Sequence, residues 1–190
     1  KASPVGVHDL HDEPLVQSFC RESDLEEYSD QQILDFCKNL RDTVNGKSEN
    51  LLNTSVGIYT METSKLFVSP NRELDQNYAW VNGHVGVVYQ EGDKTVTHRA
   101  GENEATLAAV LEKLPKVVDK LPHEAHMLTT AKPMIPGEYD IVTDTEMTGL
   151  IAHEAFGHGV EMDQFVKDRA LAKEFVGKYV ASPICNMRDG

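Results

Sequence analysis

A run of β-forming segments between residues 56 and 98, joined by connections too short for a crossover, most narrows what this 190-residue chain can fold into. Val56, Ile58, Tyr59 and Met61, then Leu66, Phe67 and Val68, lie in a stretch rich in β-branched and aromatic side chains. Ser69-Pro70-Asn71-Arg72 interrupts it with turn chemistry, and Tyr78–Val81 and His84–Tyr89 resume it. Glu91-Gly92-Asp93-Lys94 then turns the chain into Thr95-Val96-Thr97-His98. Parallel neighbours need a crossover of about a dozen residues or more, so strands this close in sequence predict an antiparallel meander. Across the last hairpin, His84 and His98 are expected to face each other, as solvent-exposed or cross-strand histidines.

Helical signals flank the strands. Ser29 and Gln32 make the S-x-x-Q pattern that satisfies two free N–H groups of a first turn, and Ile33, Leu34, Phe36, Cys37, Leu40 and Val44 recur at helical spacing up to Gly46. That apolar stripe predicts a helix packed on the sheet, with Cys37 as a small core hydrophobe. A second helix is expected from about Asn103 through Leu107, Val110, Leu111 and Leu114, kinked or restarted at Pro115. The fold class expected is α+β: a mainly antiparallel sheet with packed helices.

Pro122, Pro133, Pro136 and Gly137 bracket a stretch of weak periodicity, which predicts a boundary between an N-terminal α+β domain (1–132) and a second unit (133–190). Within the bracket, His123 and His126 imitate a metal pair without apolar support. They read as a decoy, as do His8 and His11 in a solvated N-terminal arm. The second unit reads as strand, helix, helix. Tyr139–Val142 is the strand, Thr143 and Glu146 cap a helix starting near Asp144, and Asp163 caps another that carries Phe165, Val166, Ala170, Ala172 and Phe175 to Gly177.

Composition excludes two classes of function. Eighteen Lys and Arg against 31 Asp and Glu give a formal charge of −13, which opposes binding to phosphate backbones, and there is no basic stripe to offset it. No apolar run approaches the ~20 residues of a membrane helix. Three cysteines, an odd number without C-x-x-C spacing, point to reduced thiols and a cytoplasmic setting. Lys1 is no initiator methionine and the chain stops at Asp189-Gly190, from which a processed or truncated product is expected.

The segment with most chemistry is Gly149–Asp163, which sets His153, Glu154 and His158 in an H-E-x-x-x-H pattern behind an apolar lead-in. Zinc-peptidase helices usually space their histidines four apart, about 40° around the helix; five apart is about 140°. A shared metal therefore requires a widened turn or an end to the helix, and Gly157 and Gly159 make either inexpensive. On that reading His153 and His158 are metal ligands and Glu154 is the general base that takes a proton from the attacking water. Glu161 and Asp163 are close enough to serve as further ligands or to orient the imidazoles. The alternative is an interaction or regulatory module whose histidines cap and pack a helix end.

Gly149–Asp163, with Gly137–Val142 before it, resembles the TldD/PmbA family of metalloproteases, also called modulators of DNA gyrase. The family's H-E-x-x-x-H followed by G-x-E-x-D corresponds to His153-Glu154, His158, Gly159, Glu161 and Asp163. The 66–68 strand and the 82–97 hairpin are similar to the family's N-terminal half. Possession of the histidine motif is similar to the TldD branch. The resemblance implies a zinc peptidase that takes unfolded or flexible peptides in an enclosed cleft, as a homo-oligomer or with a sister subunit. It also implies a third ligand, a cysteine far toward the C-terminus. Cys185 does not match that position, so the resemblance implies a chain lacking most of its catalytic domain, with zinc and activity weakened or lost for want of that ligand.

Overall fold

The computed structural model describes residues 13–187; His8 and His11 lie outside them. Two compact units result, 13–134 and 135–187.

The fold is α+β. In the first unit the strands are β1 (Leu15–Cys20), β2 (Leu51–Val68), β3 (Arg72–Glu91) and β4 (Lys94–Glu104), and the helices are α1 (Asp30–Asn45), α2 (Leu107–Val117) and α3 (Leu121–Thr130). The short β segments expected between 56 and 98 merge into three long strands. β3 lies at the centre. It pairs antiparallel with β2 along one side; on the other it pairs with β1 near its start and with β4 near its end. The β1 pair, Leu15↔Arg72 to Cys20↔Asn77, is parallel, so the sheet is mixed rather than a pure meander. Parallel pairing is possible because α1 and β2 supply the long connection between β1 and β3.

Turn geometry sets the registers. Gly92 has φ +61, the conformation required at the first central residue of a II′ hairpin turn. The resulting register pairs Val87 with His98 and His84 with Gly101. His84 and His98 therefore do not face each other. Their offset from direct pairing is odd, so a period of two puts them on opposite faces of the sheet. The His98 ring lies 3.0 Å from Glu124 Oε2 on α3.

Alternate β3 residues Ala79, Val81, Val85, Val87 and Tyr89 point into the core. There they meet Leu40 and Val44 of α1, Leu107, Val110 and Leu114 of α2, and Val118, Leu121 and Ala125 beyond. Gly83 occupies the same face. A Cβ there would come within 2.4 Å of Val110 Cγ1 and 3.0 Å of Leu114 Cδ2, so its missing side chain is what lets α2 lie close to the sheet.

The helix signals hold in part. Ser29 accepts from the Gln32 N–H while the Gln32 side chain accepts from the Ser29 N–H, as the capping pattern requires. Cys37 is half-buried and is not part of the core cluster expected to hold it; its partial burial pushes the thiol pKa up. Two starts move. The second helix begins at Leu107, because Asn103 and Glu104 are held in the sheet opposite Asn82 and Val81. Its N-terminus is capped twice: Thr106 accepts from the Ala109 N–H, and both Asp24 carboxylate oxygens accept from the Leu107 and Ala108 N–H groups.

The stretch after Pro122 is also no connector. It is α3, with the proline in the first turn, where its missing N–H costs nothing. Two crossed pairs bind α3 to the sheet: His126 Nδ1 lies 2.6 Å from Glu91 Oε2, while Glu124 meets His98. Thr129 Oγ1 also donates to Glu91. These partners hold Glu91 and Glu124 below the usual carboxylate range, Thr129 being the leading cause at Glu91 and His98 at Glu124.

The second unit contains α4 (Thr145–Ala155) and α5 (Met162–Val166), with 3-10 turns at Gly157–Val160 and Leu171–Phe175. Tyr139–Val142 is not a strand: it has no ladder partner, and Val142 is fully exposed. Nor does one helix run from Asp163 to Gly177, because Asp168 adopts φ 58 and ends α5 early. Among the described residues no helix is long and apolar enough to cross a membrane.

Candidate metal centre

α4 carries the first half of the H-E-x-x-x-H pattern. Its N-cap is Asp144, whose side chain accepts from the Met147 N–H at 2.8 Å; Thr143, the residue expected there, instead meets Thr148 through its hydroxyl. Eleven residues later the helix stops at Ala155, which places His153 and Glu154 in the last turn.

The turn does not widen. Phe156 leaves helical geometry (φ −138, ψ −35) while its N–H still donates to Ala152 O at 3.1 Å. A 3-10 turn over Gly157–Val160 follows, closed by the Gly159 N–H donating to Phe156 O at 2.9 Å. This break, rather than a π-bulge, brings His158 back beside His153, with ring centroids 4.4 Å apart. A side chain at Gly157 would press on the site: its Cβ would lie 3.6 Å from His153 Nδ1 and 3.3 Å from Met187 Cε.

His153, Glu154 and His158 each offer one ligand atom, all within 4.8 Å of one another. They are the one such group of three among the described residues. Two imidazole nitrogens beside a carboxylate oxygen are a donor set that suits zinc and other nitrogen-preferring divalent metals. The three side chains are solvent-exposed, so a cation and a substrate can both reach them. Cys185 is exposed and lies outside the group.

The two acidic residues that follow the histidines part company. Glu161 Oε1 lies 2.8 Å from His158 Nδ1, whereas the other ring nitrogen, Nε2, is 3.8 Å from Glu154 Oε2. The Glu161 hydrogen bond and charge, reinforced by the Glu154 charge, raise the His158 pKa. Asp163 turns away to Lys167 at 2.8 Å, and that bond lowers its pKa. It is not the next N-cap either; Glu161 holds that position. Of the histidines read as decoys, His126 is committed to Glu91 and His123 is exposed on α3; His98, read as a hairpin histidine, is committed to Glu124. The sequence left open which acidic residue attends the histidines; the three-residue step from His158 across a 3-10 turn selects Glu161.

No family model matches the chain. Curated relatives do. A metalloprotease of Methanothermobacter thermautotrophicus is 39% identical over 59 residues, which is 31% of this chain and 13% of that protein. A metalloprotease of Archaeoglobus fulgidus is 36% identical over 75 residues, 40% of this chain and 17% of the relative. A metalloprotease TldD homolog of Buchnera aphidicola is 33% identical over 60 residues, 32% and 12% of the two chains. Over about a third of its length the chain is similar to these proteins, one of which is named a TldD homolog. The matched stretches span well under a fifth of each of these relatives, so the similarity bears on a segment. At the level of that segment, the chain is similar to proteins named metalloproteases.

Proposed function

We propose that this chain carries part of the active site of a zinc-dependent peptidase of the TldD type, acting on unfolded or flexible peptides. The observation that carries the reading is the approach of the His153 and His158 rings to 4.4 Å across a helix break, with Glu154 beside them. The names of the relatives support it independently.

In this reading His153 and His158 hold the metal through one nitrogen each. Zinc, when bound, supplies Lewis acidity toward the scissile carbonyl and makes water a usable nucleophile near neutral pH. Glu154 does the proton work: its carboxylate, within 4.8 Å of both ligand nitrogens, takes a proton from the attacking water and returns it to the leaving amine. Hydrolytic zinc sites commonly take three protein ligands, so the reading assigns the third to a residue outside this group.

Hydrophobic side chains exposed across 135–187 (Ile141, Val142, Val176 and Ile184 among them) support the further proposal that this unit is covered by another copy or by a sister subunit. Light scattering should then show association that falls with Ile141→Ser and Val142→Ser; a clean monomer at all concentrations contradicts it. Three free cysteines fit a reducing, cytoplasmic setting. The charge of −13 supports a peptide rather than a nucleic acid as substrate.

The test is zinc content after dialysis, and peptide hydrolysis, for the chain and two variants. His153→Ala should lose the zinc, while Glu154→Gln should keep it and lose roughly 10²–10⁴-fold in turnover. Without the third ligand the site is expected to be weak, so a chain that takes up no zinc even under saturating Zn²⁺ would leave the interaction-module reading.

A further inference from the structure

The geometry points to Glu161 as a positioning residue that fixes which nitrogen of His158 faces the metal, an inference that rests on the zinc reading above. An imidazole ligates through a nitrogen that carries no proton, so a ring with two chemically similar nitrogens must be told which one to keep free. At His158 the two nitrogens have different surroundings. Nδ1 is 2.8 Å from Glu161 Oε1, while Nε2 is on the side of Glu154, 3.8 Å from its Oε2.

A carboxylate accepts and cannot donate, so in the neutral ring the pair places the proton on Nδ1, which donates to Glu161. Nε2 is thereby left with its lone pair free on the side of Glu154, 3.8 Å from its Oε2. The same bond restrains rotation of an otherwise exposed ring, which would have to be frozen at an entropic cost when a metal binds. Local backbone supplies the placement: the 3-10 turn ends at Val160, Glu161 is extended (φ −60, ψ 128), and the three-residue step returns its side chain to the His158 ring.

Glu161 does not belong to the group of atoms within 4.8 Å of one another, which separates its role from that of a ligand. Asp163, bonded to Lys167, does not share the task. Histidine–carboxylate pairs of this kind raise ligand basicity as well as fixing the tautomer, and their loss typically costs about 10–100-fold in metal affinity.

Two measurements on the 190-residue chain test the inference, both at a pH above the midpoint of a His158 NMR titration so that the neutral ring is observed. The first is the His158 tautomer in the metal-free chain, read from long-range ¹⁵N–¹H correlations. Wild type should show the proton on Nδ1, and Glu161→Ala should show it redistributed toward Nε2. The second is affinity for Zn²⁺ alone, by competition with a chromophoric chelator. Glu161→Ala should bind about 10–100-fold more weakly. Glu161→Gln, whose amide oxygen can still accept from Nδ1, should recover most of the loss and show the wild-type tautomer.

Unchanged tautomer and affinity in Glu161→Ala would overturn the inference and leave the zinc reading standing. So would a loss in Glu161→Gln as large as in Glu161→Ala, since charge and not tautomer would then be the cause. A wild-type chain that binds no Zn²⁺ would overturn the zinc reading, and the positioning role with it.

Discussion

The two units of this chain divide cohesion from chemistry. In 13–134, buried side chains from β3, α1, α2, α3 and the turn at Val118 form one continuous core, whose largest fully buried members are Leu107, Leu114, Leu121, Val44, Val81, Val85, Val87, Val110 and Val118. In 135–187 the buried hydrophobic residue is Ala170, while Leu150, Ile151, Phe165 and Tyr179 remain open to solvent. Yet the second unit holds the one group of three metal-capable side chains among the described residues. Apolar burial is the main favourable term in folding, and it can be concentrated where no chemistry is done. The site rests on local devices instead: the Asp144 cap, the Phe156 break, the 3-10 turn and the Glu161–His158 pair.

That contrast can be broken by paired substitutions. Leu114→Ala, which empties a fully buried position, should cost about 2–5 kcal/mol in urea unfolding, whereas Leu150→Ala on α4 should change stability by less than about 0.5 kcal/mol. Equal effects would mean that the second unit has a core of comparable weight.

A smaller effect is expected at Gly83. Gly83→Ala should cost about 1–3 kcal/mol, because the new methyl meets Val110 and Leu114 and α2 must shift. Gly149→Ala on α4, where the added Cβ meets nothing within 4 Å, should be neutral or mildly stabilising.

Smallest is a pH effect confined to the first unit. Glu91 and Glu124 have carboxyl pKa values lowered from 4.5, so their pairings contribute stability that is fully present above that value. The contribution is lost as pH falls through the lowered values. Melting temperature should therefore drop below pH 4.5 more steeply in wild type than in a Glu91→Gln, Glu124→Gln variant, and identical slopes would count against the crossed pairs. Both glutamates are partly exposed, so the difference should be modest.

The same division governs what the sequence disclosed. Where apolar periodicity had a partner surface, it was legible: Ser29 and Gln32 marked the start of α1, and Leu40 and Val44 its buried stripe. The Gly92 turn is legible too, whereas the register it imposes, which sets Val87 and not His84 opposite His98, depends on the two-residue loop. β1 is not legible because Leu15–Cys20 does not alternate and owes its place to a parallel pairing with distant residues. α3 is hidden by Pro122, which looks like a breaker although a proline in the first turn is harmless. In 135–187 the periodicity was present without a surface to satisfy it, and the single helix expected to Gly177 ends instead at Val166. His153, Glu154 and His158 were legible as a set because their spacing is local. The means of their convergence, a break at Phe156, depends on backbone angles that spacing alone does not specify.

The most direct test of the central claim is zinc titration of the wild-type chain beside His153→Ala and His158→Ala, read by calorimetry. The account predicts saturable binding of one Zn²⁺ per chain that is lost in both variants, with circular dichroism unchanged because the two rings lie outside the core. Binding of equal strength in all three would contradict it, since the metal would then be held by something other than the two imidazoles that the helix break brings together.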